Sequence, residues 1–166
     1  IFATYLFTHN SQVSIMSYAL GFAFGLPTMM LEFYQGIPLG AMLAVFNKAG
    51  LLVDFIGWLS IHGTTELFAA IISGAAGLRI GTAFAFPGPQ SRLAAAADAG
   101  KSSGAAMLGV IIMLMMAGLL EGFARQLVQS IVLRFAIGGT MLTFWLCYFY
   151  LPRRSLRPSN LAVVAD

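Results

Sequence analysis

"TTELFAAIISGAAGLRIGTAFAF", residues 64–86, decides the fold of this chain. The stretch holds one acid, Glu66, and one base, Arg79, and its other residues are apolar, small or hydroxyl-bearing. A helix needs about 20 mostly apolar residues to cross a hydrocarbon core about 30 Å thick. The stretch is long and apolar enough, and it therefore predicts a transmembrane helix.

The composition of the whole chain points the same way. Of its 166 residues, 59% are hydrophobic and only 9% are charged, and its mean hydropathy is +0.86. So little polar surface cannot coat a soluble globule, which predicts an integral membrane protein embedded in the lipid bilayer. The net charge of +3 rests on few side chains in short stretches, so we expect no nucleic-acid partner.

Four more apolar stretches accompany the first. Residues 13–31, 104–123 and 130–151 each predict one span, whereas residues 36–61 are interrupted by polar residues and glycine and predict a broken or bent span. We therefore expect an all-α fold: a polytopic transmembrane helical bundle of five spans. Its membrane domain covers residues 1–151, including a loop at 87–103, and a tail follows at 152–166.

Basic residues predict the orientation of the bundle. The loop carries Arg92 and Lys101, and the tail carries three arginines (Arg153, Arg154 and Arg157). Two spans separate the loop from the tail, so both face one side, which the positive-inside rule makes cytoplasmic. We expect a bacterial inner (cytoplasmic) membrane protein with a cytoplasmic C-terminus. Residues 8–12, a turn at 62–64 and a turn at 124–130 then face outward.

Polar side chains from distant parts of the sequence are predicted to meet near the outer side. His62 and Glu66 are one helical turn apart on one face. Glu121 ends a span that runs outward, and Asn10 stands just before the first full span. We call Asn10, His62, Glu66 and Glu121 the polar cluster, with His9 as a fifth candidate.

Three interpretations of the polar cluster are open, because a charge inside hydrocarbon must be paired, neutralised or hydrated. The first is a hydrogen-bond network that holds the helices together. The second is a polar cavity that binds an ion, a lipid head group or a substrate, or that moves protons. The third is a zinc site formed by His62, Glu66 and Glu121, although His-x-x-x-Glu lacks the second histidine of the metalloprotease motif.

Motifs for catalysis or cofactor binding are missing from the sequence. It has no Ser-His-Asp order, no cysteine pair and no dinucleotide glycine fingerprint. We therefore expect no catalytic residues, no cofactor and no enzymatic activity.

Glycines four residues apart recur more often than chance predicts. Such pairs let helix backbones approach closely, within one bundle or between two copies of the chain, so a homo-oligomer is one candidate assembly. The pairs are Gly21 and Gly25, Gly36 and Gly40, Gly77 and Gly81, Gly100 and Gly104, and Gly118 and Gly122.

Four segments are similar, in order and spacing, to a known family. They are "THNSQVSIMSYALGFAFGLPTMMLEFYQGIPLGAMLAVFNKAGL" from Thr8, "HGTTELFAAIISGAAGLRIG" from His62, "FPGPQSR" from Phe86 and "LLEGF" from Leu119. Through them the chain resembles the stage II sporulation protein M family of bacterial integral membrane proteins. Asparagine is the commoner residue in that family where His9 stands, so Asn10 is the stronger candidate of the two.

The resemblance implies a sixth span before Ile1 and a role in organising other proteins. The family's namesake is a membrane scaffold that localises cell-wall hydrolases during engulfment of the forespore, and no catalytic activity is implied. We therefore expect a scaffold or subunit of a cell-envelope membrane complex, with other membrane proteins and peptidoglycan hydrolases as candidate partners. A transporter or channel subunit is the alternative, and an intramembrane metal-dependent hydrolase is the third hypothesis.

Overall fold

Five long helices account for most of the chain. The computed structural model describes residues 2–124 and 127–151, and it contains no strand in those ranges. The helices are α1 Phe2–Ala19, α2 Leu26–Lys48, α3 Leu52–Ala85, α4 Arg92–Leu119 and α5 Ile131–Tyr150. The all-α prediction is confirmed, whereas the predicted tail at 152–166 lies outside the described residues.

Four of the helical segments are long and apolar enough to cross a membrane. They are Leu26–Lys48, Leu52–Ala85, Arg92–Ala124 and Ile131–Tyr150. α1 has 18 residues and is more polar than these four. The predicted polytopic helical bundle is confirmed, and the chain is a multi-pass membrane protein.

α3 is the central element of the bundle, and the other four helices pack against it. Its 34 residues make it about 51 Å long at a rise of about 1.5 Å per residue. Its buried face is rich in small residues, including Gly57, Ala69, Gly74 and Gly77. Small side chains let several helices approach one backbone, which explains why α3 occupies the centre.

Contacts along α3 give the direction of each neighbour. α2 is antiparallel to it, because Gly25 lies beside Gly81 and Phe46 stacks on Phe55. α4 is also antiparallel: Ile80 packs with Ala96 and Ala99 near its start, and Glu121 reaches His62 near its end. α1 runs parallel to α3, because Asn10 lies beside Glu66 and Ser17 beside Gly77. α5 is parallel to α3 as well, because Ile131 lies beside Gly57 and Phe149 beside Phe68.

The predicted turn at 62–64 is wrong, because these residues lie inside α3. The polar side chains that suggested a turn have partners within the bundle. His62 reaches Glu121, and the Thr64 hydroxyl donates to the backbone oxygen of Ser60 at 3.2 Å. A span can retain polar residues when neighbouring groups satisfy them.

The breaks before α3 lie elsewhere than predicted. Residues 13–31 do not form one span: α1 ends at Ala19 and α2 begins at Leu26. Gly25 is in the left-handed region (φ 74°), and Pro27 occupies the first turn of α2, where its missing N–H costs nothing. Residues 8–12 therefore lie within α1.

The predicted broken span at 36–61 is divided between two helices. The interruption is a short turn at 49–51, in which Gly50 has φ 73° and the Leu51 N–H donates to the Phe46 carbonyl at 2.9 Å. The first half of the predicted span belongs to α2, and its second half belongs to α3.

The predicted loop at 87–103 is mostly helical. The Ser91 side chain accepts a hydrogen bond from the Ala94 N–H at 3.2 Å and caps α4, which runs without interruption from Arg92. The alanine-rich stretch after Ser91 forms the first turns of α4. Only residues 86–91 connect α3 to α4.

The glycine pairs of α1, α2 and α3 differ in their surroundings. A Cβ atom at Gly21, Gly77 or Gly81 would collide with the backbone of a neighbouring helix, whereas one at Gly36 or Gly40 would meet no atom within 4 Å. The pairs Gly21/Gly25 and Gly77/Gly81 therefore serve packing within the bundle. Gly36 and Gly40 leave an open stripe on α2.

Gly77→Ala is expected to destabilise the protein. The new methyl group would meet the Ser17 carbonyl and the Thr28 side chain, and such overpacking costs about 1–3 kcal/mol. Gly40→Ala is the matched control and should leave stability unchanged or slightly higher. Unfolding of the purified protein by SDS titration measures both; equal midpoints would contradict the close α1–α3 packing.

Candidate functional site

His62 and Glu121 form a buried pair between α3 and α4. The Nδ1 atom of His62 lies 2.7 Å from the Oε2 atom of Glu121, and their side chains are 3% and 1% exposed. The ring of Trp58 meets the His62 imidazole edge-on at 5.3 Å between centroids. A polar pair this well buried joins two helices through a contact that neither partner can replace from solvent.

A widened turn at the end of α4 carries Glu121. Residues Leu120–Ala124 form a π-helical turn directly after the α-helix. A π-turn inserts one extra residue per turn and so re-aims the side chains it carries. The glutamate in "LLEGF" thus lies against α3 instead of facing lipid.

Glu66 joins the pair to α1. The Asn10 side chain hydrogen-bonds its carboxyl group, and both His62 and Glu121 are near enough to interact with it electrostatically. The structure thus brings Asn10, His62, Glu66 and Glu121 together, from three different helices. This arrangement closes α1, α3 and α4 around one polar centre.

His9 stands apart from that centre. Its side chain is exposed and stacks on Tyr5 with 5.9 Å between ring centroids. It lines the same cleft as Asn10 and Glu66 but is not part of the buried group.

The polar cluster meets α3 well inside that helix and α4 at its end. Asp54 and Arg79 are the charged residues that flank Glu66 in this helix. At about 1.5 Å per residue, Glu66 is about 18 Å from Asp54 and about 20 Å from Arg79. The predicted position at the outer boundary rests in part on a turn at 62–64, which the continuous α3 replaces; the position itself stays a prediction.

A second polar group, which the sequence reading missed, links α1 to α2. The Ser17 hydroxyl donates to Oε1 of Glu32 at 2.6 Å, and the Thr28 hydroxyl donates to the Ser17 backbone oxygen at 2.7 Å. The Glu32 side chain also lies directly over Gly74 of α3. The available signal was the Thr-x-x-x-Glu spacing on one face of α2.

The zinc hypothesis finds no support in the described residues. Within 2–124 and 127–151, no group of three or more His, Cys, Asp or Glu side chains is arranged to hold a metal ion. A zinc site needs three or four ligands at about 2.0–2.3 Å. His62, Glu66 and Glu121 are neighbours without that geometry.

A comparison with models of known protein families identifies the family of this chain. A family model described as Stage II sporulation protein M matches residues 1–124, which include the whole polar cluster. The chain belongs to the stage II sporulation protein M family. The predicted resemblance is confirmed. Searches of curated proteins and of solved structures gave no match.

We expect the contributions of His62 and Glu121 to the stability of the protein to depend on each other. Removing one partner of a buried pair leaves the other unpaired, so His62→Leu and Glu121→Leu should each lower the free energy of unfolding by about 3–5 kcal/mol. The double substitution should cost less than the sum of the two, with a coupling of about 0.5–3 kcal/mol.

SDS titration of the four proteins in the cycle measures this coupling. His9→Leu is the control for loss of an imidazole, and its exposed position predicts little change. Additive effects of the two single substitutions would contradict an interaction between His62 and Glu121.

Proposed function

We propose that this protein is an integral membrane scaffold, or a subunit of a cell-envelope membrane complex, that recruits cell-wall remodelling proteins. The observation that carries the proposal is the burial of the His62–Glu121 pair within the helix bundle. Buried side chains with partners in the same chain suit a structural centre. Membership of the family supports the same conclusion.

The surface of α2 supports a role in binding other membrane proteins. α2 packs on α1 and α3, and it exposes eight large apolar residues: Leu26, Met29, Met30, Phe33, Tyr34, Ile37, Met42 and Val45. Gly36 and Gly40 lie on the same helix with open space around them. Large side chains beside a groove of glycines are what a partner helix packs against in a bilayer.

The proposed location is the inner (cytoplasmic) membrane of a bacterium, with the C-terminus in the cytoplasm. The turn at 86–91 and the C-terminal end of α5 lie at the same end of the bundle, because α4 and α5 are antiparallel. Arg92 and Lys101 lie near that end. This distribution follows the positive-inside rule, and partner domains that act on the cell wall would then approach from the opposite end.

Photo-crosslinking in native membranes tests recruitment. A photo-reactive residue at position 34 of α2 should form adducts with peptidoglycan hydrolases, identified by mass spectrometry. The same residue at position 108, which is also an exposed apolar site but on α4, should form few. Adducts at position 34 that contain lipid alone would contradict the proposal.

Gly40→Leu sharpens the test. A larger side chain fits position 40 without collision inside the chain, so stability should be retained while crosslinking from position 34 falls.

The transporter alternative gives a different result: solute flux in vesicles that is lost in Glu66→Gln at unchanged stability. That result would contradict a scaffold whose polar cluster is purely structural.

A further inference from the structure

A cleft of about 330 Å³ lies between α1, α2 and α3. Its volume is in the range of small-molecule sites and far exceeds the roughly 30 Å³ that one water occupies. All three helices contribute polar side chains to its wall: His9, Asn10, Ser14, Glu32, Gln35 and Glu66. The remaining wall is apolar and includes Leu39, Met42 and Leu67.

Ser14 is the polar group in this wall that points to a ligand. Its side chain lines the cleft, yet the residue is only 3% exposed. Among the described residues, its hydroxyl has no hydrogen-bond partner. A hydroxyl that faces the cleft without a partner in the chain has its donor and its acceptor positions free for a ligand there.

The charge of the cleft is one-sided. Glu32 and Glu66 are acidic, and neither lysine nor arginine is among the lining residues. Each carboxyl group already receives a hydrogen bond within the chain, from Ser17 and from Asn10 respectively. A carboxylate offers about four acceptor positions, so both retain capacity for further donors. The wall therefore favours a positively charged, donor-rich group over an anion.

The arrangement of the acceptors selects among cations. No metal-binding group of three acidic or imidazole side chains occurs in the described part of the chain, which disfavours a bare metal ion. An ammonium group carries three N–H donors and no acceptor, and the Glu66 carboxyl, the Asn10 amide and the Ser14 hydroxyl supply acceptors from two adjacent helices. The apolar wall beside them accommodates a hydrocarbon part.

Glu66, and not Glu32, is the anchor for this cation. Glu32 lies over Gly74, which is about 12 Å along α3 from Glu66 at about 1.5 Å per residue. One ammonium group therefore contacts a single carboxyl group. Ser17 already donates to Glu32 at 2.6 Å, whereas the Ser14 hydroxyl lies one turn of α1 from Asn10, on the side of the cleft that Glu66 lines.

We propose that this cleft binds a primary ammonium group, held by Glu66, Asn10 and Ser14, on a molecule whose hydrocarbon part lies along α2. The site goes beyond the scaffold role, which uses the exposed face of α2, although Asn10 and Glu66 belong both to the cleft wall and to the polar cluster. Two sources supply this chemistry: the head group of an amine-bearing phospholipid and a soluble amine.

Native mass spectrometry of the purified protein tests the proposal. The detergent-solubilised protein is mixed with equal amounts of phosphatidylethanolamine and phosphatidylcholine that have the same acyl chains. These lipids share the phosphate and differ in the N–H donors, so wild-type protein should retain more of the ethanolamine lipid. Loss of one charge-assisted interaction in Glu66→Gln should lower that preference by about tenfold.

Ser14→Ala separates binding from folding. Removing a hydroxyl that has no partner in the chain should leave stability nearly unchanged, while retention of the ethanolamine lipid falls. Asp98→Asn is the control for a lost negative charge, because Asp98 is exposed and bonds Gln90 at the start of α4. It should bind as the wild type does.

A second arm distinguishes the two sources. The ligand is a soluble amine if free ethanolamine or putrescine displaces the lipid from the wild-type protein. The same conclusion follows if the free amine binds the wild-type protein but not the Glu66→Gln variant. If only the lipid binds with that dependence on Glu66, the ligand is the head group. Two results would overturn the proposal. The first is that the wild-type protein retains both lipids equally and binds no free amine. The second is that the Glu66→Gln variant binds the lipid or the amine as well as the wild type does.

Discussion

The bundle depends on one constraint: an ionisable side chain inside an apolar layer needs a partner there. His62 and Glu66 sit well inside α3, Glu121 sits in the turn that ends α4, and α1 supplies Asn10 to the same centre. This requirement fixes the relative height of α1, α3 and α4. Any sliding of one helix past another by a single turn, about 5.4 Å, would separate the partners.

Close packing of small residues makes that polar contact possible. Gly21 and Gly77 bring α1 against α3, and the Trp145 indole reaches the Thr65 hydroxyl at 3.0 Å to fix α5 on the opposite side. The apolar core then forms between α3, α4 and α5 around Ala69, Val110 and Met113. Lipid supplies no hydrophobic force between helices, so the packing and these few polar contacts must provide the specificity.

The sequence predicts the fold class and the family but not the boundaries of the first two spans. Composition and length suffice for an all-α membrane bundle, because the bilayer fixes how many apolar residues a span needs. Composition and length do not reveal that "HGTT" continues a helix, because the same polar residues occur in sequence at a turn and in a buried hydrogen-bond network. Gly25 and Gly50, both with positive φ, mark the true turns, yet glycine is too frequent in this chain to identify them.

The grouping of the polar residues is partly predictable. Topology counting predicts that Asn10, Glu66 and Glu121 meet, because parallel and antiparallel spans bring distant segments to one depth. It also assumes a turn at 62–64, where α3 is continuous. The place of Ser14 in the cleft is invisible in the sequence, because the cleft exists only once α1, α2 and α3 are packed together.

The short turn between α2 and α3 has a consequence for biosynthesis. Only residues 49–51 separate the two helices, too few for either to be translocated as an independent unit. α2 is the least apolar of the four candidate spans and carries Glu32 in its second turn, whereas α3 offers it Gly74 as a surface to cover that acid. We therefore expect the pair to enter the bilayer as a helical hairpin, in which the more hydrophobic α3 favours insertion of α2.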